Sequence, residues 1–183
     1  MGRQGRQVEP DQLVDRAIKF DPEALGALYD LYYTRVYRFA LLRVGTREDA
    51  EDLTQEVFLK VVENIERFRQ SGAPFIAWVM KIARNTVADF FRRAVRGAQR
   101  ETAITALEAT RDLTETYAWS TAEARQLLDT LSPDQREVLV LKFFSDLTNE
   151  EIASATGRSV GAVKSLQHRG LGALARAIGS ETS

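Results

Sequence analysis

The segment from Thr148 to Ala175 combines two helical patterns, a tight turn and a run of basic side chains. Between Gly157 and Arg176 there are four lysine or arginine residues and no aspartate or glutamate. A helix with this charge, whose N-terminal end adds a positive dipole, suits an anionic groove such as that of DNA. Because a plain helical hairpin would not need this charge bias, DNA binding is the preferred interpretation.

The turn and cap residues of this segment predict a helix-turn-helix. Thr148 and Glu151 have the spacing of a capping box at the start of the first helix. Gly157 stands where a tight turn requires a positive φ, and Ser159 is suited to cap the second helix. The candidate DNA contacts on and just before the second helix are Arg158, Ser159, Lys164, Ser165, His168 and Arg169.

The formal net charge of −1 hides a strong segregation of charge along the chain. Residues 47–66 contain seven acidic and two basic side chains, whereas residues 67–100 contain eight basic side chains and one acidic side chain. Such sign changes between adjacent segments indicate separate surfaces with separate partners. The alternative, that these are merely solvated helix faces, explains single charges better than it explains the blocks.

Several classes of protein are disfavoured by composition. The absence of cysteine excludes disulfides and thiolate metal sites, and the single histidine, His168, excludes a histidine-rich metal site and disfavours a histidine-based catalytic triad. No apolar run approaches the ~20 residues that span a bilayer, and the N-terminus has no signal-peptide core. We expect a cytoplasmic protein without membrane insertion, without a metal or other cofactor, and without enzymatic activity.

Apolar residues recur at helical spacing in almost every long segment, and no strand pattern stands out. The sequence predicts an all-α protein of two small helical domains joined by a flexible linker, with the helix-turn-helix in the C-terminal domain. Proline after Asp21 and after Ser132 marks two helix starts. The predicted divisions are an N-terminal segment (1–20), a first domain (21–95), a linker (96–120) and a second domain (121–179). Whether the two domains pack together stays open at this point.

Three blocks of the first domain and one of the second resemble the bacterial RNA polymerase sigma factors of the extracytoplasmic-function type. The most specific blocks are DAEDLTQEVFLK and AWVMKIARNTVADFFRR, followed by the helix-turn-helix LTNEEIASATGRSVGAVKSLQHRGLGAL. Members of this family retain only sigma regions two and four. The resemblance implies a transcription initiation factor that binds core RNA polymerase, recognises the upstream (−35) and downstream (−10) promoter elements, and promotes strand opening.

The resemblance also implies roles for residues of the first domain. The acidic segment would dock on core polymerase, and four of its side chains share one helix face by their i, i+3 and i+4 spacing: Asp49, Asp52, Gln55 and Glu56. The basic segment would read the single-stranded −10 element through Asn64, Phe68, Arg69, Lys81, Ile82, Arg84, Asn85, Arg92 and Arg93. Trp78 is expected to be a core residue rather than a base-stacking platform.

In the second domain the resemblance places the second helix of the helix-turn-helix in the major groove of the −35 element. The sequence departs from the common family pattern at Leu166-Gln167 and Leu171-Gly172, so we expect a weaker or differently specific upstream contact. Leu166 is expected to replace the packing lost at Gln167. The resemblance further implies an anti-sigma factor as a protein partner.

The sequence disfavours three other functions. An enzyme is disfavoured because the chain has no cysteine nucleophile, no histidine-centred relay and no glycine-rich phosphate loop. A stand-alone helix-turn-helix regulator with a helical sensing or dimerisation domain leaves the acidic and basic blocks of the first domain unexplained. A helical interaction scaffold would not need a basic recognition helix.

Overall fold

The structure is a computed structural model that describes residues 10–68, 72–98 and 121–181. Every regular element in these ranges is helical, which confirms the all-α prediction. The helices in chain order are α1 (Pro10–Ala17), α2 (Pro22–Val44), α3 (Arg47–Asn64), α4 (Phe75–Ala98), α5 (Thr121–Asp129), α6 (Pro133–Phe143), α7 (Asn149–Thr156) and α8 (Val160–Glu181). A 3₁₀ turn, Ile65–Arg67, directly follows α3.

Side-chain caps determine where several of these helices begin. Asp21 caps α2 by accepting hydrogen bonds from the backbone amides two and three residues further on, at 3.0 and 3.3 Å. Ser132 with Gln135, and Thr148 with Glu151, form complete capping boxes at the starts of α6 and α7. Each box satisfies two backbone amides that have no partner within the helix. This explains why α6 and α7 begin where the sequence predicted.

Helix α1 was not predicted, because residues 1–20 were treated as an N-terminal segment. It packs on α2 and buries Val14 and Ala17 almost completely. The Arg16 guanidinium donates to the Asp21 carboxylate at 2.7 Å and so ties α1 to the cap of α2. An eight-residue helix contributes too few apolar positions to give a clear periodicity, so its signal in the sequence is weak.

Helices α1 to α4 form the first module, and α5 to α8 form the second. In the second module α6, α7 and α8 enclose buried Leu139, Ile152 and Val163. Gly170 lets α8 approach α6 closely, since a methyl group at this position would lie 2.9 Å from the Leu139 Cδ1 atom. The linker predicted for 96–120 lies largely outside the described residues, and α4 extends through Ala98.

The two modules pack against each other, which answers the question that the sequence left open. Their buried apolar side chains form one continuous core, and α4 lies against α7. Polar contacts also cross the boundary: the fully buried Ser145 hydroxyl donates to the Arg35 carbonyl at 3.1 Å. The Arg125 guanidinium of α5 lies directly over Gly45, the residue that ends α2.

A prediction follows for Gly45, whose φ of +91° is in the left-handed region. We expect Gly45→Ala to lower the free energy of unfolding by about 1–2 kcal/mol, because a Cβ is disfavoured at this φ. The new methyl group would also lie 1.6 Å from the Arg125 Nη1 atom and displace that side chain. Urea denaturation followed by circular dichroism measures the change.

The matched control is Gly26→Ala in the same helix, where a new methyl group meets nothing within 4 Å. Alanine is favoured over glycine within a helix, so this variant should gain about 0.5–1 kcal/mol. Equal stability changes in the two variants would contradict the strained conformation assigned to Gly45.

Candidate polymerase and nucleic-acid interfaces

Helix α3 presents the predicted acidic face, but its four members differ in availability. Asp52 and Gln55 are exposed. Asp49 is half-buried and accepts a 2.6 Å hydrogen bond from the Thr46 hydroxyl as part of the helix cap. Glu56 is held within the protein by two cations. The outer part of the predicted docking face is therefore Asp52 and Gln55.

Exposed apolar side chains that the charge pattern did not predict extend this face. Leu59 is 65% exposed, and Val62 is 37% exposed. Leu59 follows Asp52 by seven residues and Gln55 by four, and Val62 follows Gln55 by seven, so these side chains lie on the same side of α3. Leucine at an exposed position inside an acidic block is the signal in the sequence that could have located this surface.

Glu56 connects α3 to α4. Its carboxylate accepts from the Lys60 ammonium at 2.7 Å and from the Arg93 guanidinium at 3.1 Å. Burial by itself would raise the pKa of Glu56, but the hydrogen bonds from Lys60 and Arg93 outweigh burial and lower its pKa below the ordinary value. Two residues predicted to act on different partners, Glu56 and Arg93, are thus paired with each other.

One residue predicted to read the −10 element, Phe68, belongs to an aromatic cluster at the start of α4. Phe68 is only 7% exposed and packs against Phe75 in a T-shaped geometry, with ring centroids 5.0 Å apart. Trp78 is half-buried against Phe68 at 5.4 Å, in agreement with its expected core role. The Asn64 amide donates to the Lys60 carbonyl at 2.8 Å. Phe68 and Asn64 are therefore both engaged by contacts within the protein.

The residues open to solvent near this cluster lie along one side of α4. Lys81, Asn85 and Arg92 are exposed and fall within about 40° of one another around the helix axis. Ile82 beside them is half-buried, and Arg92 is paired with Asp89. Arg69 lies outside the described residues. An exposed cationic row with a carboxamide in it can bind phosphates and a base edge.

Arg84 is the predicted −10 residue that the structure places elsewhere. It points to the second module, where its Nε and Nη2 atoms donate to the Glu137 carboxylate at 2.8 and 3.2 Å. Its Nη1 atom donates to the Ala155 carbonyl at 2.6 Å. In this arrangement the guanidinium is engaged by a carboxylate and a carbonyl of the second module.

The helix-turn-helix has the predicted geometry. Gly157 adopts a φ of +70° in the turn, and the Ser159 hydroxyl accepts from the Ala162 amide at 3.2 Å at the start of α8. Leu166 is buried as expected, while Gln167 donates to Asn149 of α7 at 2.8 Å. These contacts fix the angle between α7 and α8, which determines which side of α8 can enter a groove.

Five of the six predicted −35 residues are exposed on α8 or immediately before it: Ser159, Lys164, Ser165, His168 and Arg169. The sixth, Arg158, is half-buried. Its Nη2 atom lies 2.8 Å from an Asp134 carboxylate oxygen and 3.8 Å from a Glu137 oxygen. The exposed set carries donors and acceptors suited to base edges and phosphates, and it contains no acid.

The described residues contain neither a metal-ligand cluster nor a helix suited to span a membrane. Within residues 10–68, 72–98 and 121–181, no group of three or more histidine, aspartate or glutamate side chains could hold a metal ion. No helix in the described part of the chain is long and apolar enough to cross a membrane.

Comparison with known proteins identifies both modules. The family model for sigma-70 region 2 matches residues 28–97, and that for sigma-70 region 4 matches residues 121–174. The extracytoplasmic-function (ECF) RNA polymerase sigma factor SigD of Mycobacterium tuberculosis is 34% identical over 179 residues, which cover 93% of this chain and 84% of SigD. The chain belongs to the ECF sigma factors. This confirms the resemblance inferred from its motifs.

A second relative of this sigma factor is the ECF RNA polymerase sigma factor BldN of Streptomyces coelicolor, 38% identical over 172 residues. That match covers 91% of this chain and 65% of BldN.

Two solved structures share the fold. CnrH in complex with the cytosolic domain of CnrY has a TM-score of 0.73 at 23% identity, covering 94% of this chain and 99% of CnrH. RpoE in complex with the anti-sigma factor NepR from Bartonella quintana has a TM-score of 0.69 at 24% identity, covering 81% and 92%.

The sigma factor's Glu56–Arg93 pair gives a pH-dependent prediction. We expect Arg93→Gln to raise the pKa of Glu56, because it removes one of the two cations that hold the carboxylate ionised. Carbon-13 NMR titration of the Glu56 carboxyl group measures this. Because the pKa of Glu56 is lower in the folded state than its unfolded value of about 4.3, ionised Glu56 stabilises the fold at pH values above 4.3. This contribution is lost as the pH falls through the folded-state pKa.

The control is Arg92→Gln, which removes the neighbouring cation but leaves Glu56 with both of its partners. If Arg93→Gln and Arg92→Gln shifted the Glu56 titration equally, the specific pair between α3 and α4 would be refuted.

Proposed function

We propose that this sigma factor binds bacterial core RNA polymerase, recognises −35 and −10 promoter elements and promotes strand opening. The observation that carries the proposal is the placement of three different surfaces on one chain. These are an acidic and apolar face on α3, a cationic row on α4, and an acid-free recognition surface on α8. We assign the first two to residues 21–95 and the third to residues 121–179, joined through 96–120.

The α3 face is suited to a protein partner rather than to DNA. Asp52 and Gln55 are polar and exposed, and Leu59 among them offers a large apolar contact at 65% exposure. An apolar residue surrounded by polar groups is the composition expected of a specific protein interface. Carboxylates on this face would pair with basic polymerase residues and would repel a phosphate backbone. We therefore assign it to core-polymerase docking, with Asp49 and Glu56 supporting it from the side.

The α4 row is suited to an unpaired strand. Lys81 and Arg92 would neutralise phosphates along the helix, and Asn85 between them can both donate to and accept from a base edge. The aromatic cluster of Phe68, Phe75 and Trp78 packs at the start of α4, where this row begins. We propose that Asn64, Phe68 and Ile82 form the floor of a pocket for an unpaired base, with Arg69, Arg84 and Arg93 as further phosphate contacts.

Two further features belong to the proposal. CnrH and RpoE share this fold and were solved with CnrY and with the anti-sigma factor NepR, which supports an anti-sigma factor as a partner of this chain. We also propose that the chain acts in the bacterial cytoplasm as a non-catalytic subunit, because core polymerase forms the RNA there and supplies the active site.

The alternative is a stand-alone helix-turn-helix regulator. That protein would bind its duplex tightly without polymerase, whereas a sigma factor should bind weakly until core enzyme is present. The exposed Leu59 within the acidic face favours the sigma factor, since a DNA-binding regulator has no use for a polymerase-facing surface in that position.

The direct test is transcription of fragmented genomic DNA by bacterial core polymerase with and without this protein, followed by sequencing of transcript starts. New starts that share two spaced upstream motifs are expected. Absence of new starts together with absence of core binding would contradict the proposal.

The docking face yields a prediction for core binding. Asp52→Lys should weaken binding to core polymerase by about tenfold, equivalent to about 1.4 kcal/mol, because it reverses the charge of an exposed docking residue. Biolayer interferometry on immobilised core enzyme measures the affinity. Asp30→Lys, the same charge reversal at an exposed residue of α2, is the control and should bind like the wild type. Equal losses of affinity in both variants would show that binding depends on the net charge of the protein and not on the α3 face.

The recognition helix yields a prediction for duplex DNA. Lys164→Gln should weaken binding of the polymerase–sigma holoenzyme to the −35 element and reduce the slope of log K against log salt by about 0.9, the value for one lost phosphate contact. Lys19→Gln removes the same charge from an exposed residue next to α1 and should leave the slope unchanged. An unchanged slope in Lys164→Gln would remove Lys164 from the DNA interface.

A further inference from the structure

Two carboxamide side chains join the helices of the helix-turn-helix. The Gln167 Nε2 atom of α8 donates to the Asn149 Oδ1 atom of α7 at 2.8 Å, and both side chains are half-buried. Gln167 stands where the common family pattern has an apolar residue, so the sequence predicts only a loss of packing there. Buried Leu166 takes over that packing. Gln167 is therefore free to make a polar contact between the two helices.

This hydrogen bond fixes the orientation of the Asn149 carboxamide. A carboxamide has an oxygen that accepts hydrogen bonds and an amino group that donates them, on opposite sides of one carbon atom. Because the oxygen of Asn149 accepts from Gln167, its amino group faces away from Gln167. Within the described part of the chain, the Asn149 amino group has no hydrogen-bond partner. Its two N–H groups can therefore bind an acceptor outside the protein.

The Asn149–Gln167 pair lies at one edge of the α8 recognition surface. Gln167 follows Lys164 by three residues, which places the two side chains one turn apart and about 60° from each other around the helix axis. Lys164 is exposed, whereas Gln167 beside it contacts α7. In a helix-turn-helix bound to DNA, the second helix enters the major groove and the first helix crosses the sugar–phosphate backbone. The edge at which α7 borders α8 is therefore the edge that meets the backbone.

The chemistry of a phosphate makes the orientation of this carboxamide decisive. Phosphate oxygens only accept hydrogen bonds, so the amino group of Asn149 would bind them and its carbonyl oxygen would be repelled. A carboxamide without a fixed partner can turn and present either side. The hydrogen bond from Gln167 selects the side that donates. Together, Asn149 and Lys164 would hold one edge of the DNA backbone, the first with an uncharged donor and the second with a charge.

We propose that Gln167 is a positioning residue for promoter binding, which orients Asn149 so that the Asn149 amino group donates to a phosphate of the −35 duplex. This inference rests on the proposed function, which places α8 in the major groove of that element. Gln167 acts through Asn149 and does not itself touch the DNA. The departure from the family pattern at position 167 therefore exchanges an apolar packing contact for an oriented hydrogen-bond donor.

Two substitutions test the two members of the pair. Gln167→Leu removes the hydrogen bond and restores the apolar residue of the family pattern, so the fold should be retained. Asn149→Ala removes the proposed phosphate donor itself. The control is Gln12→Leu, the same change at an exposed residue of α1 in the first module. Thermal denaturation verifies that each variant is folded.

Affinity is measured by fluorescence anisotropy over a series of salt concentrations. The full chain is titrated alone onto a pool of random duplexes of about 20 base pairs at low salt, where binding without sequence specificity is strongest. The polymerase–sigma holoenzyme is then titrated onto −35 duplexes that differ at single base pairs. We expect Asn149→Ala to weaken binding about fivefold and Gln167→Leu about threefold, while Gln12→Leu matches the wild type. The salt slope should not change in these variants, because Asn149 carries no charge and releases no counterion.

A double variant separates positioning from a merely structural role. Because Gln167 acts only through Asn149, Gln167→Leu should cause no further loss of affinity in the Asn149→Ala background. A general disturbance of α8 would instead add to the loss and would lower the salt slope by displacing Lys164.

Three results would overturn the proposal. These are wild-type affinity in Gln167→Leu, an additional loss of the same size in the double variant, and a loss that changes with the base sequence of the −35 duplex, since a phosphate contact carries no sequence information. Failure of the proposed sigma function would appear differently, as no gain in duplex affinity when core polymerase is added. The comparison of variants in the free chain would then still decide the role of Gln167.

Discussion

The contact between Arg84 and Glu137 is the interaction on which the arrangement of the two modules depends. It joins α4 to α6 and, through the Ala155 carbonyl, to α7. Removing charge from water is costly, so a half-buried pair of this kind stabilises little by itself, but the loss of one partner leaves the other uncompensated. The Arg84–Glu137 pair therefore acts mainly by making other arrangements of the same apolar surfaces unfavourable. Ser145 and Arg125 reinforce this arrangement on the α2 side of the boundary.

Charge segregation along the chain becomes a division of surfaces in the fold. The acids of α3 that point outward are accompanied by exposed Leu59, whereas Glu56 is neutralised by Lys60 and Arg93. The bases of α4 divide in the same way: Lys81 faces solvent, while Arg84 faces the second module. Charge that is paired inside the protein shapes the fold, and charge that remains exposed is available to a partner. The docking and DNA-binding roles proposed here fall on the exposed part.

Features set by neighbouring residues could be predicted from the sequence, and features set by distant ones could not. The caps at Asp21, Ser132 and Thr148 were correct because a cap and the amides it satisfies lie within three residues of each other. The eight-residue α1 escaped detection because its burial depends on packing against α2. The partners of Arg84 lie 53 and 71 positions away along the chain, and no local pattern contains that information. The exposure of Leu59 likewise depends on which side of α3 the other helices cover.

The packing of the first module against the second can be measured directly in the free protein. Fluorescent labels at Asp30→Cys and Ala175→Cys in an otherwise wild-type chain would report the distance between the modules, since the chain has no cysteine of its own. We expect one short distance, because α4 packs against α7 and the Arg84–Glu137 pair joins α4 to α6. A broad distribution of long distances in the free chain would contradict the packed arrangement.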